Sequence, residues 1–241
     1  MAIIDEILGT ISTDAPVRDL RICMKTTAVW SQKLGLAFTF PRRPGHPTSA
    51  ERSPGLFADR SARQLAELAR TEDLIDSAVG VAAINSLLEP DARLLSDGHA
   101  YDLILSHGAG KVVTVIGHFP FVDRLRAEVE TLYVLELSPR KGDLPASEAG
   151  RVVPQSDVVA ITGTTLINGT LDGLLELAKD RYTILLGPST PLSSVLLEHG
   201  VAAICGSVVT DPDAALRCVS EAVSFRYMEG LRRVVLSRAR A

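Results

Sequence analysis

Between residues 112 and 223 the sequence repeats one simple unit, and this repetition constrains the fold more than any other feature. A short apolar run is followed by a turn and then by a stretch with helical spacing. The runs are VVTVI at 112–116, LYVLEL at 132–137, DVVAIT at 157–162, YTILL at 182–186 and VAAIC at 201–205. Continuous apolar runs of this length suit strands covered on both faces, and intervening helices supply the crossovers that parallel strands require. Helices are expected at 121–129, 170–179, 191–198 and 212–223, with a last one at about 227–236. The pattern predicts an α/β fold, an open parallel sheet with helices on both faces.

The first part of the chain has a different rhythm. Ile4, Ile7, Leu8 and Ile11 have helical spacing over residues 2–12. Residues 17–31 are rich in β-branched side chains, and residues 34–40 (LGLAFTF) alternate Leu36, Phe38 and Phe40 with smaller partners. These read as two strands of a hairpin joined by SQK. Residues 41–55 hold four prolines and two glycines and can sustain neither a helix nor a central strand, so an exposed loop is expected. An amphipathic helix is expected at 61–70 and a nearly apolar one at 73–88. In the latter, Ala78, Gly80, Ala82 and Ala83 would allow close packing against a sheet. Asn85 either braces the contact between domains or lines a site, because a buried amide needs partners. The polar stretch 89–98 reads as the joint, dividing the chain into domains 1–98 and 99–241. A short helix at 100–107 would open the second.

Composition removes several function classes. Basic residues number 25 and acidic residues 29, a net charge of −4, with an isoelectric point near 5.8. That balance argues against a nucleic-acid partner. The longest stretch without a formal charge, 182–197, is broken by Gly187, Pro188 and Pro191 and is too short to span a membrane. Asp5 and Glu6 occupy the place of a basic signal region, so a cytoplasmic protein is expected. Cys23, Cys205 and Cys218 are scattered in apolar settings with no C-x-x-C pair, which disfavours a disulfide framework or a thiolate metal site.

In a parallel sheet of this type ligands bind outside the carboxyl ends of the strands. Those ends carry Gly117-His118-Phe119-Pro120, Glu136 with Asp143 just beyond, Thr162-Gly163-Thr164, Asn168-Gly169-Thr170 and Gly187-Pro188-Ser189-Thr190-Pro191. In the first turn, GHFPFV, Phe119 and Val122 stand where a dinucleotide fingerprint needs glycine, so tightly bound NAD or FAD is not expected. At the fourth strand end, Thr190 would cap the next helix with Pro191 in its first turn, and the free amides there could receive an anion. His118, Glu136 and Asp143 could form an oxygen and nitrogen metal site. Arg140 and Lys141 could add positive charge beside it. His46, His99, His107 and His199 read as structural or solvated, and Trp30 as core.

Taken in order, GHFPFVDRL, LELSPRKGDLPASEA, DVVAITGTTLINGTLDGLLEL, LLGPSTPLS and GVAAICGSVVTDPD resemble an uncharacterised bacterial and archaeal family labelled "putative heavy-metal chelation". LGLAFTF and the AINSLL helix end extend the resemblance over nearly the whole chain. It implies an N-terminal α+β domain like that of enolase, followed by a Rossmann-like domain. It also implies that the cleft between them is lined by Asn85, Gly117, Phe119, Pro120, Glu136, Asp143, Pro145, Thr162, Thr164, Asn168, Thr170 and the Gly187–Pro191 turn.

Two functions follow as expectations. One is binding of a divalent transition metal, or of a metal–organic chelate, in the interdomain cleft. The scattered thiols favour a hard site or a chelate whose organic part supplies the donors. The other is an enzyme acting at the same cleft on a small anionic metabolite, phosphorylated or carboxylated, or on a nucleoside-like ligand. Residue types leave binding and catalysis both open. The apolar helix at 73–88 fits core packing and a homodimer contact equally well.

Overall fold

The computed structural model describes residues 2–41, 55–57 and 59–238. The proline-rich loop predicted at 41–55 therefore lies, apart from its end residues, outside the described residues. Helix α1 (Ala2–Thr10) is followed by strands β1 (Asp19–Ile22), β2 (Thr26–Trp30) and β3 (Leu34–Phe38). These form an antiparallel sheet in the order β1-β2-β3. The single strand expected at 17–31 is in fact a hairpin of its own, closed where Cys23 N–H donates to Thr26 O. Helix α2 (Ala62–Ala66) begins at a capping box between Ser61 and Gln64, and helix α3 (Leu74–Leu87) at an Asp73 cap.

Then come β4 (Leu95–Asp97), α4 (Ala100–Gly108), β5 (Val112–Ile116), α5 (Val122–Arg126), β6 (Thr131–Glu136), β7 (Leu144–Pro145), α6 (Ala149–Val152), β8 (Val158–Thr162), α7 (Thr164–Ile167), α8 (Leu171–Leu177), β9 (Tyr182–Leu186), α9 (Ser194–Glu198), β10 (Val201–Val209), α10 (Pro212–Ser220) and β11 (Leu231–Ser237). The large sheet has the order β4-β11-β10-β9-β8-β5-β6-β7. Strands β5 to β10 are mutually parallel, and β11 runs antiparallel to β10 and to β4.

Alternation divides this sheet between two cores. Val113, Val115, Ala160, Ile184, Cys205 and Val235 pack with α4 and α5 on one face. Val159, Ile161, Leu185, Ile204, Val234 and Leu236 pack on the other with α1, α3, α8 and α9. The small sheet is also covered twice. Val29 and Ala37 join the core containing α3, while Ala28, Leu34 and Leu36 pack against Ala215, Leu216 and Val219 of α10.

Two further expectations need correction. The helix predicted at 227–236 is strand β11, because LRRVVLS puts β-branched Val234 and Val235 in an alternating run that pairs along β10. Gly230, at φ +72°, turns the chain into it, and a Cβ there would lie 2.3 Å from Asp211 O. The helix expected at 191–198 begins only at Ser194, so Thr190 and Pro191 are not its cap and first turn. As expected, the small residues of α3 let it pack closely against the small sheet, while Gly80 itself meets the turn after α2: its Cβ would lie 2.0 Å from Ala69 N. The close contact with the small sheet comes from Gly35 in β3, whose Cβ would lie 2.0 Å from Ala82 O. No helix among the described residues is long and apolar enough to cross a membrane.

Candidate functional site

Residues at the carboxyl ends of β5 and β6 form a closed hydrogen-bond network. Gly117 ends β5 at φ +101°, which turns the following backbone toward β6. There His118 N–H donates to Glu136 Oε1 at 2.8 Å, and Leu137 N–H donates to Glu136 Oε2 at 2.9 Å. Both carboxylate oxygens of Glu136 are thus engaged in holding backbone. The turn after β6 closes where Asp143 N–H donates to Arg140 O at 3.0 Å. Gly142 supplies the positive φ, +93°, that such a turn needs at its third residue. Asp143 returns the contact, Oδ2 accepting from Arg140 N–H at 3.0 Å.

The turn places the Asp143 carboxylate against the His118 ring. Nδ1 lies 3.0 Å from Oδ1 and 2.9 Å from Oδ2. The Asp143 side chain is 1% exposed and that of His118 is 16% exposed, so the acid is sealed while the imidazole still reaches solvent. A carboxylate accepts only, so Nδ1 carries the proton. In the neutral ring Nε2 then holds a lone pair. Phe119 stacks on Phe121 at 5.3 Å beside this dyad, and Phe121 in turn leans on Tyr101 at 5.9 Å.

The ledge continues across the sheet. A Cβ on Gly117 would lie 3.2 Å from Thr162 Cβ, so His118 and Thr162 occupy adjoining strand ends. Thr162 and Thr164 share a hydroxyl–hydroxyl hydrogen bond of 3.1 Å. Gly163 N–H donates to Leu186 O, and a Cβ on Gly163 would lie 2.3 Å from Thr190 Oγ1. Gly187, at φ +114°, starts the next turn, Pro188 follows half-buried, and Ser189 is fully buried. Ser189 Oγ accepts from Phe38 N–H at 2.8 Å and so ties the end of β3 to the loop after β9.

Other predicted residues have more local roles. Asn85 Nδ2 donates to Leu36 O at 2.9 Å, bracing α3 against β3 within the first part of the chain. Asn168 Oδ1 accepts from Thr170 N–H and from its hydroxyl, a turn of the Asx type before α8. Pro145 lies on β7 beside Glu136, and Pro120 is exposed. Thr190 Oγ1 is buried with no hydrogen-bond partner among the described residues. Among the described residues there is no group of three or more His, Cys, Asp or Glu side chains placed to hold a metal ion. Phe38 was not singled out from sequence, although the alternating aromatics of LGLAFTF were visible. It meets Phe40 edge to face at 5.3 Å.

Comparison with known proteins accords with this architecture. Residues 99–238 and residues 4–88 match two family descriptions that carry the same wording, "Putative heavy-metal chelation". An uncharacterised protein of Methanocaldococcus jannaschii is 31% identical over 183 residues, covering 73% of this chain and 71% of that protein. A crystal structure of a protein of unknown function from Desulfitobacterium hafniense matches with a TM-score of 0.85 and 28% identity, over 98% of each chain. One from Pyrococcus horikoshii, at 23% identity over 98% of each chain and a TM-score of 0.82, shares the fold. The chain thus belongs to the family described as "Putative heavy-metal chelation".

Proposed function

We propose that the chain binds a transition metal carried by a small organic chelate on the ledge where units 1–98 and 99–241 meet, with His118 as the protein's own donor. The observation that carries this reading is the His118–Asp143 pair. An imidazole that ligates a metal through one nitrogen commonly donates its other N–H to a carboxylate, which fixes ring orientation and raises basicity. Glu136 is engaged by two backbone amides, so it positions the loop instead of coordinating. With one imidazole as donor, the remaining coordination comes from the chelating molecule. The hydroxyls of Thr162 and Thr164 would hydrogen-bond its oxygens.

A second reading rests on the same pair together with its neighbours. Arg140 and Lys141 are exposed on the turn that carries Asp143. With an anionic metabolite held there, the Nε2 of His118 would act as a general base oriented by Asp143. Calorimetric titration separates the two readings. Nickel(II) citrate is expected to bind saturably, with binding abolished in His118→Ala. Saturable binding of citrate alone, with equal affinity, would favour the anionic-metabolite reading.

A further inference from the structure

The strand order opens a crevice beside His118. Strand β5 lies between β6 and β8 in the large sheet. The chain leaves β5 for α5, whose Val122 and Leu125 pack on one face of that sheet. It leaves β8 for α7 and α8, whose Leu166, Ile167 and Leu171 pack on the other face. The two loops therefore diverge, and a parallel sheet with such a reversal binds ligands in the crevice between them. Gly117 leaves its β5 side bare, since a Cβ there would lie 3.2 Å from Thr162 Cβ. His118 stands on one lip, and the hydroxyl pair of Thr162 and Thr164 on the other.

This crevice offers a metal one donor. The Asp143 carboxylate is 1% exposed and faces the His118 Nδ1, and Glu136 uses both oxygens on backbone amides. Among the described residues no third His, Cys, Asp or Glu completes a metal-holding group. Sites that hold a free divalent ion outright use several side chains, so one imidazole does not strip a metal from its chelator. What the imidazole can do is fill a single vacancy. The Nε2 lone pair forms a bond to the metal, one metal–water bond breaks, and the water leaves with its own electron pair. No proton or electron is transferred, because the neutral ring carries its proton on Nδ1. The charge an arriving ligand meets is positive: Arg140 and Lys141 are exposed on the adjoining turn, while Asp143 is sealed.

We infer that the ledge selects its cargo by a coordination vacancy and by charge: it takes a small, net-anionic transition-metal chelate intact, and only one that leaves the metal a water-bearing position. This rests on the reading of His118 as a donor. It goes further in making the protein a carrier of whole complexes that leaves the metal with its chelator.

The test uses the whole chain without an affinity tag and three nickel(II) complexes. The nitrilotriacetate complex is anionic and keeps water on the metal. The ethylenediaminetetraacetate complex is more anionic, but its chelator can fill every position. The tris(2-aminoethyl)amine complex keeps water but is cationic. Calorimetry reads affinity, native mass spectrometry reads composition, and visible absorption reads the donor. The nitrilotriacetate complex is expected to bind saturably and to stay whole on the protein. Its nickel bands should move to shorter wavelength as nitrogen replaces oxygen. The other two complexes should bind far more weakly, and His118→Ala should abolish both the binding and the band shift. Arg140→Gln combined with Lys141→Gln should weaken binding roughly fivefold, the scale of lost exposed ion pairs. Equal affinity for the ethylenediaminetetraacetate complex, equal affinity for the cationic complex, or nickel held without nitrilotriacetate would overturn this inference while leaving chelate binding on the ledge in place. Binding of none of the complexes, nickel(II) citrate included, or undiminished binding in His118→Ala would overturn both.

Discussion

The His118 ring and the Asp143 carboxylate lie 2.9 Å apart with the acid sealed from solvent, so under the proposed function Asp143 would act on a ligand only through the imidazole. Asp143→Asn preserves shape but can present its amide N–H to Nδ1, which favours the wrong tautomer. Binding of nickel(II) citrate, followed by calorimetry, should weaken roughly 10–100-fold. His118→Gln should remove it. If Asp143→Asn binds as tightly as the parent protein, the pair does not orient a donor.

Thr190 offers a test of a different kind. Its hydroxyl is buried without a partner among the described residues, against the Gly163 backbone. Thr190→Val keeps the shape and removes the orphaned group, so stability should be unchanged or higher by about 1 kcal/mol in urea unfolding. A clear loss of stability would show that the hydroxyl has a partner in solution.

Gly80 is where helix α3 touches the turn after α2. A methyl group there would meet the Ala69 backbone, which cannot rotate aside. Gly80→Ala should therefore cost about 3 kcal/mol or more, despite the better helix propensity of alanine. Gly150, with nothing within 4 Å of its Cβ position, is the matched control. Gly150→Ala should change the urea midpoint little.

Stability at mildly acidic pH should depend on His99. Burial first, and then the charge of Arg233, pull its imidazole below the usual range, with Asp102 opposing. Its Nδ1 accepts from Tyr101 N–H at the start of α4, which requires that nitrogen unprotonated. In the window between the lowered folded value and about 6.5, the unfolded chain binds more protons than the folded one. Stability therefore falls as pH drops through that window and levels off below it. His99→Asn keeps a capping side chain without a titrating group. The slope of melting temperature against pH should be shallower in this variant.

Thiol chemistry provides the last check. Cys205 is buried, and burial pushes its thiol up to about 12, so no thiolate is present at neutral pH. Cys218 is buried as well, and its sulfur accepts a contact from Glu229 N–H. Iodoacetamide on the native protein should modify Cys23 alone, as read by intact mass. Faster reaction at Cys205 would contradict the packing of β10.

Much of the large sheet was readable because its strands are buried on both faces. VVTVI and YTILL are continuous apolar runs of strand length, and β9 begins and ends where its apolar run does. Strand β11 was not readable as such. Residues 227–236 mix Arg232 and Arg233 with apolar neighbours, and period 2 becomes evident only once β10 lies alongside. The ledge residues Gly117, His118, Glu136 and Thr162 were placed together by a topological rule about strand ends. The partnership of His118 with Asp143 depended on the Arg140–Asp143 turn, and no spacing in the sequence encodes that distance. The role of Phe38 was hidden for the same reason, since its partner Ser189 lies in a distant part of the chain.

Strand β11 also bears on how the chain comes to be folded. It lies between β10 and β4, so residues 231–237 are the middle layer of a three-strand stack whose outer members are made earlier. While synthesis is under way, β10 has an unpaired backbone edge and β4 has no neighbour at all. Residues 95–97 acquire their sheet partner only when this late segment emerges. Until then the nascent chain presents an open apolar edge, the kind of surface that invites wrong pairing and chaperone engagement.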